Sequence, residues 1–138
     1  MKKDLSALII SIILVLFFLP ERGFGINEPT QDSNALRMQD MLMLMLTPYI
    51  EKDLTNYYYP KISKDFSPQV TPWKIEVIET RRVNDFRGFI LQITFEIEPT
   101  GIQYNPIGKD RMTYEISYGP EVKLINHTHL KTYKYPPE

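Results

Sequence analysis

His127 and His129 stand two residues apart near the end of the chain. In an extended strand that spacing turns both imidazoles to one face, together with Ile125. Such a pair can supply two ligands to a transition metal. A specific site needs a third ligand and partners behind it, and no spacing in the sequence supplies either. The pair therefore reads as two histidines on a solvent-facing strand surface, with no metal assigned. Asn126-His127-Thr128 is also a glycosylation sequon, meaningful only in a eukaryotic secretory pathway.

Carboxylate chemistry fares no better. Glu96 and Glu98 share one strand face, with Cα atoms roughly 7 Å apart by strand rise. A glycosidase pair faces its partner across a cleft, with one carboxyl raised in pKa, whereas an exposed strand face leaves both solvated. There is no Gly-x-Ser-x-Gly, and no histidine lies close in sequence to a plausible serine nucleophile. A proton-transfer enzyme would need an acid beside a tyrosine in a pocket. Tyr104, Tyr114 and Tyr118 are available, but the apolar strand faces read as free of carboxylates. No catalytic residue and no cofactor are assigned.

The segment with the strongest claim to function is the connection Pro99–Lys109, which ends at Asp110. Hairpin loops usually take about two to five residues, and longer ones in compact domains are commonly functional or disordered. Ile102, Tyr104 and Ile107 make this one too apolar for a disordered tether. Asn105-Pro106 and Gly108 suit defined turns, and Asp110 can accept backbone amides that lock them. The candidate binding loop is therefore Tyr104, Asn105, Pro106, Ile107, Gly108 and Asp110, with Tyr104 and Ile107 near the apex. An ordered loop that merely covers one end of the core is the competing reading. Tyr57-Tyr58-Tyr59, with Trp73 soon after, could form an aromatic surface for sugars or peptides. The plainer reading has Tyr57 and Tyr58 closing the core with their hydroxyls in water.

Composition narrows the classes. The chain has 138 residues, with 16 Lys+Arg against 17 Asp+Glu and a formal charge of -1. That balance argues against nucleic acid as partner. Its 24% charged and 43% apolar fractions are those of a folded globule. The absence of cysteine excludes disulfide scaffolds, thiolate metal sites, thiol catalysis and a cysteine-linked lipid anchor.

Lys2 and Lys3 precede the apolar run Leu5–Leu19, which Pro20 ends before Gly23-Phe24-Gly25. Fifteen helical residues span about 22 Å, short of the roughly 30 Å hydrocarbon core. Residues 1–25 accordingly read as a secretory signal peptide cleaved near Ile26, with localisation outside the cytoplasm. A signal anchor left in the membrane is the alternative.

Positioning of the candidates falls to a helix and four strands. Asp32 or Ser33 can cap a helix whose Leu36, Met38, Met41, Leu42, Met45, Leu46, Tyr49, Ile50, Leu54 and Tyr57 recur at helical spacing. From Met41 to Leu46 the segment is apolar all round, so a second side is buried or covered by a partner. Pro48 predicts a kink or break, with Thr47 capping the second piece. After a proline-rich connector over 60–72 the period becomes two. Trp73, Ile75 and Val77 read as one strand, and Phe89, Leu91, Ile93, Phe95 and Ile97 as the next. Met112, Tyr114, Ile116 and Tyr118 follow, then Val122 and Leu124 open a strand running towards Leu130. One apolar face per strand means an antiparallel sheet covered on one side. Asn84-Asp85 with Gly88, and Tyr118-Gly119-Pro120, fit hairpin turns. The fold class is α+β: a helix across a four-stranded antiparallel meander, a two-layer architecture like that of cystatins. Residues 26–32 form a short arm, 33–130 the single domain and 131–138 a tail.

Several of these stretches resemble a known family. They are Asp40-Met41-Leu42 with Leu46, Pro48 and Ile50, then Tyr57-Tyr58, and Asn105-Pro106-Ile107-Gly108-Lys109-Asp110-Arg111-Met112-Thr113. Together, over roughly Ser33 to Leu130, they resemble an uncharacterised family of small exported proteins of endospore-forming Gram-positive bacteria, classed as a domain of unknown function. Asn105, Pro106, Gly108, Asp110 and Thr113 match that family's His-Asn-Pro-Pro-Tyr-Gly-x-Asp-x-x-Thr loop. Tyr104 stands where the family usually has histidine, and Ile107 replaces the Pro-Tyr pair. The resemblance implies export and this fold, and no catalysis.

The expected function is a non-catalytic exported module that binds a peptide, protein or envelope component through the 99–110 loop. The second hypothesis is a small enzyme or small-molecule carrier with a pocket between helix and sheet. A carrier or enzyme needs an enclosed cavity with a few polar groups. A module shows a filled core and an exposed apolar patch. Ligand and oligomeric state are not readable from the residues.

Overall fold

The computed structural model describes residues 31–59, 61, 66–119 and 121–134. The segment read as a signal peptide and most of the arm after it lie outside the described residues. So do residues 62–65 of the connector, Pro120 and the last four residues. The elements belong to the unit Ser33–Glu138. They are helix α1 (Asn34–Tyr58) and strands β1 (Glu76–Arg82), β2 (Leu91–Ile97), β3 (Gly108–Ser117) and β4 (Glu121–Thr132). The strands form a four-stranded antiparallel sheet in the order β1-β2-β3-β4. This is the α+β class expected.

Ser33 caps α1, its hydroxyl accepting from the Leu36 amide at 3.1 Å, which satisfies one of the donors a helix start leaves open. The helix then runs through Pro48 as one element, so of the expected kink or break the break does not occur. Pro48 lies on the solvent side of α1, so the carbonyl it leaves unpaired one turn earlier can be hydrated. The Thr47 hydroxyl, expected to cap a second piece, instead bonds back to the Met43 carbonyl at 2.8 Å.

Met43, Leu46, Ile50, Leu54 and Tyr58 form the buried stripe of α1, at spacings of three and four. They meet Ile93, Phe95 and Ile97 of β2 and Met112 and Tyr114 of β3, with Phe95 and Tyr114 stacked 5.8 Å apart. The helix is thus amphipathic about a different axis from the one expected. Met38, Met41, Met45 and Tyr49 lie exposed on its far side. Trp73, expected to open a strand, sits in a 3-10 turn over Pro72–Lys74 and is 80% exposed. Phe89 and Leu91, expected inside, are exposed as well.

The uncovered face of the sheet is held by polar cross-strand pairs, the sheet's equivalent of helix neighbours. Arg81 bonds Gln92, which donates on to Glu115, and Thr94 meets Thr113 at 2.9 Å. Glu96 is paired with Lys109 and Arg111. Glu96 is therefore an ion-paired strand residue with its side chain only 11% exposed, where a solvated carboxylate was expected.

Candidate functional site

β3 begins at Gly108, and its covered face carries Gly108, Asp110, Met112 and Tyr114 in alternation. Asp110 is fully buried. Isolated carboxylates at such positions are expensive, and this one is met on every side. The Tyr58 hydroxyl donates to Oδ2 at 2.6 Å. His127 Nε2 and His129 Nδ1 approach Oδ1 at 2.8 and 3.0 Å. The far nitrogen of His129 meets the Thr132 hydroxyl at 2.7 Å. Tyr57 lies against both imidazoles, with ring centroids 4.5 and 5.4 Å away.

Burial alone pushes the Asp110 carboxyl upward, but the hydrogen bonds from His127, Tyr58 and His129 outweigh it and hold the group below the ordinary aspartate range. An ionised carboxylate only accepts, so the imidazole nitrogens facing it carry their protons. Burial, and then the carboxylate at its hydroxyl, push the Tyr58 phenol well above the ordinary tyrosine value. The cluster is a charge held by three donors from two elements. It joins the end of α1, the start of β3 and the end of β4.

Gly108 makes room for this. A Cβ at that position would stand 2.4 Å from the Tyr58 hydroxyl and 2.8 Å from the Lys131 carbonyl. A second tyrosine–aspartate pair of opposite direction lies further along the helix, where Tyr114 of β3 donates to Asp53 of α1 at 2.7 Å. Burial, and then Asp53, push the Tyr114 phenol up as well.

Three expectations are corrected here. His127 and His129 lie on the helix-covered side, not the solvent face. β4 carries an extra residue at Ile125, where the register with β3 slips between Thr113 and Tyr114, and another at Leu130, between Lys109 and Asp110. A bulge reverses the alternation beyond it, so Ile125 turns outward and both histidines turn in. Asp110 accepts side-chain donors rather than loop amides. And a covered strand face does hold a carboxylate, beside a tyrosine. As placed, each imidazole spends its facing nitrogen on Asp110, and no group of three or more acidic, histidine or cysteine side chains among the described residues is arranged to hold a metal ion.

The 99–107 connection rises from this base. Thr100 pairs with Gln69 on one side and Pro106 on the other. The Ile107 amide bonds the Pro99 carbonyl at 2.9 Å. Gly101 approaches Phe66 so closely that a Cβ would stand 2.7 Å from its ring. At the apex Gln103 and Tyr104 both take left-handed backbone, with φ of 58° and 59°, a conformation non-glycine residues adopt rarely. They display Tyr104 at 76% exposure. Ile107, expected near the apex, is fully buried in the core. Gly108 and Asp110 belong to the strand, so the loop is shorter than its sequence suggested. Phe66, Gln69, Gly101, Ile102 and Tyr104 line a shallow groove of about 300 Å³ beside the apex.

Fold and site together define a helix-on-sheet domain with a buried polar junction under one hydrogen-bonded, exposed loop. A family described as a protein of unknown function (DUF3888) matches residues 38–131. That is more than half of the chain, and the chain belongs to this family. No curated protein and no solved structure matches it.

Proposed function

We propose that the protein is an exported, non-catalytic binding module that takes a peptide, protein or envelope component in the groove beside Tyr104. The observation that carries this reading is the loop apex. Two consecutive left-handed residues hold an aromatic side chain outward, beside a groove, on a base held by the Ile107–Pro99 and Thr100–Gln69 backbone bonds. Ordering is the main cost of recruiting a loop to a partner, and a loop already held avoids much of it. Backbone strain that persists on a well-determined scaffold is where binding residues concentrate. A pocket between helix and sheet has its space taken by Leu46, Ile50, Leu54, Phe95 and Met112, all fully buried.

Export rests on the apolar run behind Lys2 and Lys3, with cleavage near Ile26. Among the described residues no helix is long and apolar enough to cross a membrane. The test is retention of envelope-extract components by the immobilised protein, beside an Ile102→Ala/Tyr104→Ala variant. The variant should lose what the parent retains. Equal retention by both overturns the reading.

A further inference from the structure

The bulge at Leu130 does more than turn the histidines inward. Residues three apart in a regular strand face opposite sides. With the extra residue at Leu130, His129 stands opposite Asp110 and Thr132 opposite Gly108, so the two share the covered side. The Thr132 hydroxyl lies 2.7 Å from His129 Nε2, while Nδ1 of the same ring lies 3.0 Å from the Asp110 carboxylate. Asp110 is fully buried, the His129 side chain is 20% exposed and Thr132 is exposed. Carboxylate, imidazole and hydroxyl therefore lead from the core to the surface.

The proton positions follow from Asp110. An ionised carboxylate only accepts, so the proton of the neutral ring is on Nδ1 and Nε2 is left as an acceptor. Thr132 thus donates to a base that the carboxylate orients. Hydroxyl, base and orienting group at these spacings are the arrangement of an activated nucleophile. Other threonine hydroxyls are bonded differently. Thr47 and Thr55 bond back to helix carbonyls, Thr94 and Thr113 bond each other, and Thr128 accepts from Asn126.

The donors of the cluster limit what such a hydroxyl can attack. The Tyr58 hydroxyl, His127 Nε2 and His129 Nδ1 are all turned to Asp110. None of the three is left to hold the oxyanion of a tetrahedral intermediate. An amide needs that help, whereas an acyl group on a good leaving group needs less of it.

We infer that Thr132 is a covalent modification site, whose hydroxyl, with His129 as base, accepts an acyl group from an activated ester or thioester. Oγ1 bonds to the acyl carbonyl carbon as its proton passes to Nε2. The bond from that carbon to the leaving oxygen or sulfur then breaks, and the leaving group takes the proton from Nε2. Asp110 stays ionised throughout. The product is an ester on the chain itself, so the step is a modification rather than a turnover. It goes beyond the binding reading and needs nothing in the groove beside Tyr104.

The test is reaction of the folded, full chain with p-nitrophenyl acetate, followed by peptide mass mapping. Thr132 should gain an acetyl group, while Thr128, exposed on the same strand without a base, stays unmodified. Thr132→Ser should keep the label and Thr132→Val should lose it. His129→Asn keeps an amide donor for Asp110 but removes the base. It should slow labelling of residue 132 by at least about a hundredfold, the low end of what a positioned base contributes. An unlabelled Thr132 in the parent overturns the proposal, as does equal labelling of residues 128 and 132. Labelling of Thr132 at the parent's rate in His129→Asn overturns it too. If that variant does not fold, the comparison of residues 128 and 132 in the parent decides alone.

Discussion

Asp110 decides how the buried junction responds to pH and to substitution. Its carboxyl is held below the ordinary aspartate value of about 4, so the stability it contributes is present above that value and is lost as pH falls through the lower folded one. Tyr58 and Tyr114 are raised, so theirs is present below about 10 and is lost as pH rises towards their higher folded values. Asp110→Asn should lower stability at neutral pH by about 3–5 kcal/mol, because the donors around it lose their charged acceptor. It should also flatten the acid limb of stability against pH, as read by denaturant midpoints. An unchanged acid limb would assign that titration to another carboxyl. Phenolate absorbance tests the other side. Two tyrosines should resist ionisation until the protein unfolds in base, and Gly108→Ala, by pushing the Tyr58 hydroxyl off Asp110, should release one of them. If Gly108→Ala leaves the tyrosine titration as it was, the contact between residues 58 and 108 is not what holds Tyr58. At this scale the site was half legible. Asp110 is in phase with Met112 and Tyr114, and that parity alone places it inward; the loop composition around it drew attention to a turn instead.

Among the elements, β2 from Ile93 onward and β3 followed the alternation written in their residues, although Phe89 and Leu91 lie exposed, and the hairpin turns fell where Gly88 and Gly119 stand. Gly119 is needed there, with φ of 99°. β4 did not follow, because bulges leave no mark in hydropathy: Ile125 and Leu130 are apolar yet face outward, and the two polar histidines between them face in. The helix was recognisable as a helix, but a segment apolar on several sides has no unique inward direction. Which stripe is buried was decided by the sheet, through Tyr58 and Asp53. Pro48 was tolerated because it lies on the solvent side. The register of β2 can be tested directly. Phe95 is fully buried against Tyr114, so Phe95→Ala should cost about 3–5 kcal/mol. Thr94, one residue away on the polar face, shares one hydroxyl contact with Thr113, and Thr94→Ala should cost about 1 kcal/mol. Similar losses of denaturant midpoint for both would mean that the two faces are exchanged.

On the scale of the whole molecule, the polar junction lies at the loop end of the sheet, where Asp110 stands in β3 directly after the 99–107 connection. This arrangement separates residues that hold the loop from residues that use it. Ile107 plugs the core beneath the loop, and the Tyr133 amide bonds its carbonyl at 3.1 Å, tying β4's end to the same point. Truncating it empties buried volume, so Ile107→Ala should destabilise by about 2–5 kcal/mol. Amide exchange should quicken first in 99–107 and in the last residues of β4, since local openings follow the contacts that are lost. Tyr104→Ala removes a side chain that touches mostly water. It should leave the unfolding midpoint within about 0.5 kcal/mol, the usual range for surface substitutions, and leave exchange in the loop unaltered while capture falls. The comparison turns on which variant loses which property. If Tyr104→Ala loosens the loop as Ile107→Ala does, Tyr104 is a strut of the loop's own structure. The groove beside it would then no longer have an aromatic side chain reserved for a partner.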